Sequence, residues 1–217
     1  MQLKKSTLFF YSLAEMPINI ALFPILVFIP KFYTGEMGVP LALAANIILA
    51  VRIFDVFTDP IVGYINDRTN TKWGRRRPWI AMATPLLMVS IYMLFIPPEG
   101  AGALHLFLWM FLLSIATTML IIPYYAWGAE LSPDYNERSR ITGWRSISGV
   151  VGSLSAQLIP TIALVFFGLG GSTNVLYIVG IASVIIMPIC VFLTVSKVPE
   201  SKDYIKSNIS PIKGFKI

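Results

Sequence analysis

The sequence has little charge and almost no cysteine or histidine. Asp, Glu, Lys and Arg make up 13% of its 217 residues, whereas roughly a quarter of a typical soluble domain is charged. The single cysteine, Cys190, excludes an internal disulfide, and one cysteine with one histidine gives no ligand spacing typical of zinc. We also find no nucleophile–base pattern and no phosphate-binding loop, so the sequence does not point to an enzyme.

Apolar residues dominate instead, at 56% of the chain. This exceeds the about 45–50% of soluble domains, and the surplus belongs in lipid rather than in a core of this size. Because lipid offers the backbone no hydrogen-bond partners, spanning segments must be helices or strands of a closed barrel, and these runs are too long and unalternating for strands. We predict an all-α integral membrane protein, a six-helix bundle with helices near residues 7–31, 39–65, 79–97, 103–127, 142–167 and 173–195.

The basic residues are unevenly distributed between the loops. Of the 17 Lys and Arg residues, all but Lys31 and Arg52 lie in the amino end, residues 66–78, residues 128–145 or the tail from residue 196. By the positive-inside rule, this predicts a multi-pass protein of the cell membrane, inner or plasma, with both ends cytoplasmic. The net charge of +6 therefore indicates membrane orientation and not nucleic-acid binding.

The two ends of the chain have different expected roles. The start, MQLKKSTLFFYSLAEM, lacks a small-residue cleavage site, so its apolar stretch is expected to remain as the first helix. Residues 1–196 would form the membrane bundle. Residues 197–217 are polar and contain Pro, Ser and Lys, which is typical of a cytoplasmic linker toward a further domain.

Three charges interrupt the second apolar stretch, in the segment RIFDVFTDPIVG. Asp55 and Asp59 are one helical turn apart, and Arg52 shares their face. A charge at bilayer depth costs at least about 2.5–3.5 kcal/mol, and the two carboxylates repel each other. A cation between them would relieve both costs, since hard cations such as sodium prefer oxygen ligands and a proton can neutralise one carboxylate. The structural alternative is that Arg52 bridges Asp55 only to hold helices together.

The loop that follows reads GYINDRTNTKWGRRRPW. Asp67 beside Arg68 offers an ion pair at the membrane face, and Gly74 allows a tight turn before Arg75. Exposed pairs contribute little energy, but a small bias is enough to shift a two-state equilibrium. The loop resembles that between helices two and three of the major facilitator superfamily, and this resemblance implies that such a pair latches one access state, so Asp67, Arg68, Gly74 and Arg75 are candidates for a gate. For Arg76 we expect only a topology signal.

The second cytoplasmic loop, ELSPDYNERSR, contains helix-start signals. Ser and Asp near a proline, followed by Glu, predict a short capped helix with acids in its first turn. Its acidic residues either form local salt bridges or contact the arginines of the first loop, which would make them part of the gate.

These motifs resemble those of a transporter family. The first loop resembles the Gly-x-x-x-Asp-Arg…Gly-Arg-Arg segment of the major facilitator superfamily. RIFDVFTDPIVG and IPYYAWGAELSPDYNERSRITGWR resemble the glycoside–pentoside–hexuronide cation symporters, the family of the melibiose permease. Together the motifs cover most of residues 52–145. The resemblance implies the amino-terminal half of a twelve-helix fold, and a secondary active transporter that couples a sugar or sugar-like solute to a cation.

The resemblance also implies a cation site. Its ligands would be Asp55, Asp59, Thr58 and Thr118, with Arg52 as the charge balance. The melibiose permease has an asparagine at the position of Thr58, and threonine still offers an oxygen. The coupling ion is expected to be sodium or a proton, with no other metal and no organic cofactor.

The solute pocket matches the family less closely. The resemblance places Asn19, Tyr125 and Arg145 in it, where Asn19 can bond a hydroxyl and Tyr125 offers an aromatic plane to a sugar face. Ile121 stands where the melibiose permease has an aspartate, so a lipid or other amphiphile is an alternative solute. Glu15, on the face of Asn19, either reaches water at the cytoplasmic interface or contacts the solute or a proton in the cavity.

Chain length restricts the expected partners. The resembled family has about twelve helices and six are predicted here, so the bundle is expected to need a missing carboxyl-terminal half, a second chain or a second copy. Its other partners are membrane lipid and a small-molecule solute, expected to be a carbohydrate, and no nucleic acid. The rival hypothesis is a non-transporting six-helix membrane protein that keeps the helix-two charges for packing.

Overall fold

The computed structural model describes residues 2–168 and 171–200. Within these residues it contains no strand and eight α-helices: α1 Lys5–Ser12, α2 Glu15–Val27, α3 Ile29–Gly35, α4 Leu41–Arg68, α5 Arg77–Phe95, α6 Ala103–Glu130, α7 Tyr135–Phe167 and α8 Ser172–Lys197. In this described part, six segments are long and apolar enough to cross a bilayer, the first formed by α1 and α2 together. The predicted all-α membrane fold with six spanning segments is confirmed.

The first apolar stretch forms three helices instead of one. α1 ends at Ser12 and α2 begins at Glu15. Pro17 cannot donate a hydrogen bond to the residue four positions before it, and its ring crowds that carbonyl, so the helix is interrupted just ahead of the proline. Pro30 occupies the first turn of α3 in the same way, after a second break at Phe28.

α7 begins at Tyr135, earlier than the expected start at residue 142. The Asp134 side chain caps it by accepting a 2.9 Å hydrogen bond from the main-chain N–H of Glu137, the usual role of aspartate at this position. The short capped helix expected in the second cytoplasmic loop is therefore the first part of α7, which continues without interruption into the spanning segment.

The bundle is arranged around α2 and α6. α6 packs against both α4 and α5, α2 packs against α7, and α8 covers α5. Small residues permit the closest approach: a Cβ on Gly152 of α7 would lie 2.3 Å from the main-chain oxygen of Met16 on α2. α4 and α7 are the least buried of the six spanning segments in the described chain. Their exposed apolar surfaces are suited to lipid or to further helices.

Candidate cation and solute site

The acidic pair of α4 faces hydroxyl groups on α6. Asp55 Oδ1 accepts a hydrogen bond from Ser114 Oγ. One turn along, Asp59 Oδ1 accepts a 2.7 Å hydrogen bond from Thr118 Oγ1. Asp55 and Asp59 are four residues apart on α4, and Ser114 and Thr118 are four residues apart on α6. One turn of α4 therefore lies beside one turn of α6. This packing brings together Asp55, Asp59 and Thr118 of the expected cation site.

Arg52 compensates only one of the two carboxylates. Its Nη1 lies 3.2 Å from Asp55 Oδ2, and the arginine side chain is 60% exposed while the aspartate is 16% exposed. Among the described residues, no Lys or Arg comes within 4.0 Å of Asp59. Arg52, Asp55 and Asp59 together therefore leave one uncompensated negative charge, which a monovalent cation would neutralise.

A cavity of about 280 Å³ lies beside these groups. Arg52 and the two aspartates border it from α4, hydroxyl side chains border it from α6, and apolar residues that include Leu22 and Ile121 complete its wall. Thr58 is not among the described residues that line it. Its Oγ1 instead donates a 3.1 Å hydrogen bond to the main-chain oxygen of Phe54, within α4.

Sequence reasoning missed two oxygen-bearing residues of this cavity, Ser114 and Thr117. Ser114 lies four residues before Thr118, so the expectation for Thr118 could have extended to it by helical spacing. No such signal singles out Thr117, because hydroxyl side chains are common in membrane helices and its position depends on how α6 packs.

A second polar cluster joins α2, α6 and α7. Tyr125 Oη donates a 3.0 Å hydrogen bond to Glu15 Oε1, and the Arg145 guanidinium lies 3.8 Å from the centre of the Tyr125 ring. Asn19 Nδ2 donates to the main-chain oxygen of Glu15 at 2.9 Å and reaches Glu15 Oε1 at 3.5 Å. The structure thus brings together the four residues expected to contact the solute.

Glu15 is buried within this cluster. Its residue is 8% exposed, so the carboxylate is held inside the bundle and not in bulk water. Its second oxygen, Oε2, has no hydrogen-bond partner among the described residues. Glu15 and Asn19 border a cavity of about 360 Å³ against Gly149 and Ser153 of α7. A donor group on a bound molecule would satisfy the free oxygen.

The charges at the loop end of α4 are paired differently from the expectation. Asp67 Oδ1 contacts Arg76 Nη2 at 2.8 Å and does not pair with its neighbour Arg68, whose guanidinium lies 4.0 Å from the centre of the Tyr64 ring. The expectation that Arg76 is only a topology signal was wrong. The Arg76 residue is 3% exposed, because its side chain packs between the carboxyl ends of α4 and α6.

Arg76 links three elements. Its Nη2 contacts Glu130 Oε1 at 2.6 Å, and its Nη1 bonds Asn66 Oδ1. Arg75 also pairs with Glu130. The expected contact between the segment ELSPDYNERSR and the arginines of the first loop is therefore present, through Glu130 at the end of α6. We call Asp67, Arg75, Arg76 and Glu130 the loop cluster.

The chain beyond α8 returns to this loop. Glu200 Oε1 accepts hydrogen bonds of 2.7 Å from the main-chain N–H groups of both Arg75 and Arg76. Gly74 permits this with φ of 123°, and a Cβ there would lie 2.0 Å from Glu200 Oε2. The expected linker from residue 197 is described only as far as residue 200, and its remainder, 201–217, lies outside the described residues.

Comparison with known proteins assigns the sequence to a family. A family described as MFS/sugar transport protein matches residues 10–213. The isoprimeverose transporter of Lactiplantibacillus pentosus is 29% identical over 217 residues, which cover 94% of this chain and 44% of the relative. The glucuronide carrier protein homolog of Escherichia coli (strain K12) is 29% identical over 151 residues, 68% of this chain and 33% of the relative.

A relative from an animal is similar to a shorter part of the chain. The sodium-dependent lysophosphatidylcholine symporter 1 of Mus musculus is 33% identical over 136 residues, 58% of this chain and 26% of the relative. The chain spans less than half the length of these relatives and corresponds to their amino-terminal part. It is a multi-pass membrane protein that belongs to the MFS/sugar transport protein family, among the glycoside–pentoside–hexuronide symporters of the major facilitator superfamily.

Proposed function

We propose that this chain is part of a secondary active transporter that couples uptake of a sugar or sugar-like solute to a cation, sodium or a proton. The observation that carries the proposal is the pairing of Asp55 and Asp59 with hydroxyl groups across the α4–α6 contact, beside a cavity. Two carboxylates and one arginine at bilayer depth are costly unless a cation completes the charge balance. Family membership supports the same conclusion.

The proposed cation site consists of Asp55, Asp59 and Thr118, with Arg52 as charge balance. Cation binding would remove the repulsion between the carboxylates and allow α4 and α6 to stay packed as the cavity closes around the solute. A ligand shifts such an equilibrium only through its differential affinity for the two states. In this proposal the closed state, in which both carboxylates and Thr118 face the cation together, is the state that binds it more tightly.

The proposed solute contacts are Asn19, Tyr125, Arg145 and Glu15. The amide of Asn19 and the unpartnered Oε2 of Glu15 suit hydroxyl groups, and the Tyr125 ring suits the flat face of a sugar. The bacterial relatives are named for isoprimeverose and for glucuronide. Completion of the solute pocket requires a further helical half, for which the exposed surfaces of α4 and α7 are suited.

A second candidate solute is an amphiphile such as a lysolipid. Ile121, Leu22 and their neighbours make the wall of the cation-site cavity largely apolar, and the mouse relative is named as a lysophosphatidylcholine symporter. Such a wall suits an apolar group better than it suits the hydroxyl groups of a sugar. Competition of labelled-sugar uptake by lysolipids and by sugars distinguishes the two solutes.

For the loop cluster we propose a gating role on the cytoplasmic side. Asp67 with Arg76, and Arg75 with Glu130, join the ends of α4, α5 and α6, and Gly74 allows the turn that places the arginines. These contacts must break if α4 or α6 tilts away from α5, so they favour one access state over the other.

The test of coupling is the Asp59→Asn variant of the full-length protein. It keeps the size of the side chain and one oxygen that can accept from Thr118 but removes the charge, so solute uptake that depends on a sodium or proton gradient should be abolished. Asp134→Asn makes the same change at the cap of α7, where asparagine caps equally well, and should transport normally. Uptake in Asp59→Asn that equals wild type, and is also insensitive to ionophores, would refute cation coupling.

A further inference from the structure

Three hydroxyl side chains of α6 lie in a row along the cation-site cavity. Ser114, Thr117 and Thr118 all border it. Their spacing of three and four residues places them on one face of the helix. This row meets the carboxylates of Asp55 and Asp59 on α4, so five oxygen-bearing side chains converge on the same space.

The hydroxyl oxygens remain able to accept a cation. A hydroxyl has one proton and two lone pairs. Ser114 gives its proton to Asp55 and Thr118 gives its proton to Asp59, so the lone pairs of both oxygens point away from the carboxylates. Thr117 Oγ1 is buried and has no hydrogen-bond partner among the described residues. Polar atoms buried in this way usually have a partner, and a bound cation would provide one.

The number of oxygens distinguishes the two candidate ions. A proton bonds to a single carboxylate oxygen and needs no surrounding ligands. A hard metal cation gives up water ligands on binding and takes several protein oxygens in their place, as calcium sites show. Three hydroxyl groups beside two carboxylates, with one uncompensated charge, meet the needs of a monovalent metal ion.

We propose, on the basis of the proposed function, that Ser114 and Thr117 are ligands of the coupling ion and that this ion is Na⁺. Ser114 then takes the place expected for Thr58, whose hydroxyl donates within its own helix. The choice between sodium and proton then depends on α6 and not only on the aspartates of α4.

The experiment measures Na⁺ binding in purified full-length protein carrying Ser114→Ala or Thr117→Val. NaCl is titrated against choline chloride at constant ionic strength and pH, and the midpoint of thermal unfolding is followed, because an ion that binds the folded state raises it. Each variant should raise the half-saturating Na⁺ concentration roughly tenfold, the usual scale for losing a group that supports a metal site. Ser90→Ala removes a buried hydroxyl that, within the described chain, donates to the Leu86 carbonyl of its own helix, and this variant should titrate like wild type.

Transport assays separate this proposal from the proposed function. Unchanged Na⁺ titration in both Ser114→Ala and Thr117→Val would overturn the ligand assignment while cation coupling stands. A wild-type protein whose uptake follows a proton gradient but not Na⁺ would overturn the choice of sodium and leave coupling intact. Uptake insensitive to both gradients would overturn both.

Discussion

At the scale of single residues, Tyr125 connects the two charged side chains of the second polar cluster, Glu15 and Arg145. Its hydroxyl donates to Glu15 while its ring lies under the Arg145 guanidinium. It therefore holds an acid and a base in fixed positions although no ion pair joins them directly among the described residues. A cation over an aromatic face is stabilised by roughly 0.5–2 kcal/mol, depending on solvent exposure.

Tyr125→Phe should weaken solute binding and leave cation binding unchanged. It removes the hydroxyl that holds Glu15 but keeps the ring, so the carboxylate is less well positioned for the solute. The expected result is a higher KM for the solute, while the half-saturating Na⁺ concentration stays equal to that of wild type. Tyr125→Leu, which also removes the ring, should raise KM further. Equal KM values for wild type and Tyr125→Phe would show that the Glu15 contact has no part in solute recognition.

Single residues could be predicted from the sequence where the signal was local. Asp55, Asp59 and Arg52 stand out because charges are rare in an apolar run and share a helix face. The partners of Ser114 and Arg76 could not be found in this way, since they lie far away in the sequence. Ser114 meets Asp55 only through the packing of α4 on α6, and Arg76 meets Glu130 only because the starts and ends of three helices converge.

At the scale of helices, the contact between α2 and α7 depends on two glycines of α7. Gly152 lies against the main chain of Met16, and Gly149 would place a Cβ 3.2 Å from Asn19 Nδ2. This close approach brings Glu15 and Asn19 up to the surface of α7, where they share a cavity with Ser153. The glycines of α7 thus allow the close packing of α2 on α7 and also position Glu15 and Asn19 of the second polar cluster.

Gly152→Ala should destabilise the protein because its methyl group has no space. A rigid main-chain oxygen 2.3 Å from the new Cβ forces the helices apart, and overpacking of this kind costs roughly 1–3 kcal/mol. The matched control is Gly143→Ala on the same helix, where, apart from the helix's own nearby backbone, no atom of the described residues lies within 4 Å of the new Cβ. It should be neutral or slightly stabilising, since alanine favours helix over glycine. The midpoints of thermal unfolding in detergent should differ by several degrees, and equal midpoints would contradict close packing at Gly152.

Helix positions were easier to predict than helix ends. Long apolar runs identify spanning segments because the bilayer requires a minimum length. The breaks before α2 and α3 depend on prolines that other helices tolerate in their interiors, such as Pro60 in α4 and Pro123 in α6. Whether a proline interrupts or only kinks a helix is decided by neighbouring helices, which the sequence does not display.

At the scale of the whole molecule, the side of the membrane that each loop faces can be tested directly. The distribution of basic residues supports cytoplasmic ends, and cysteine labelling can test this because the chain has one cysteine, Cys190, which is readily replaced by alanine. Asn70→Cys lies in the loop before α5 and Glu99→Cys in the loop after it, and both positions are exposed. Neither change alters the number of basic residues.

In intact cells, a membrane-impermeant maleimide should label Glu99→Cys and not Asn70→Cys. After permeabilisation both should be labelled, which controls for reactivity. The reverse pattern would place the loop cluster outside the cell and contradict the proposed cytoplasmic gate.

The arrangement of Arg52, Asp55 and Asp59 has a consequence for cellular energetics. Because the unloaded group is negative and becomes neutral with one monovalent cation, each cycle with an uncharged solute would carry one positive charge inward. Moving that charge across 100 mV releases about 2.3 kcal/mol. Membrane voltage, and not only the ion gradient, would therefore drive accumulation, and transport would appear as an electrical current.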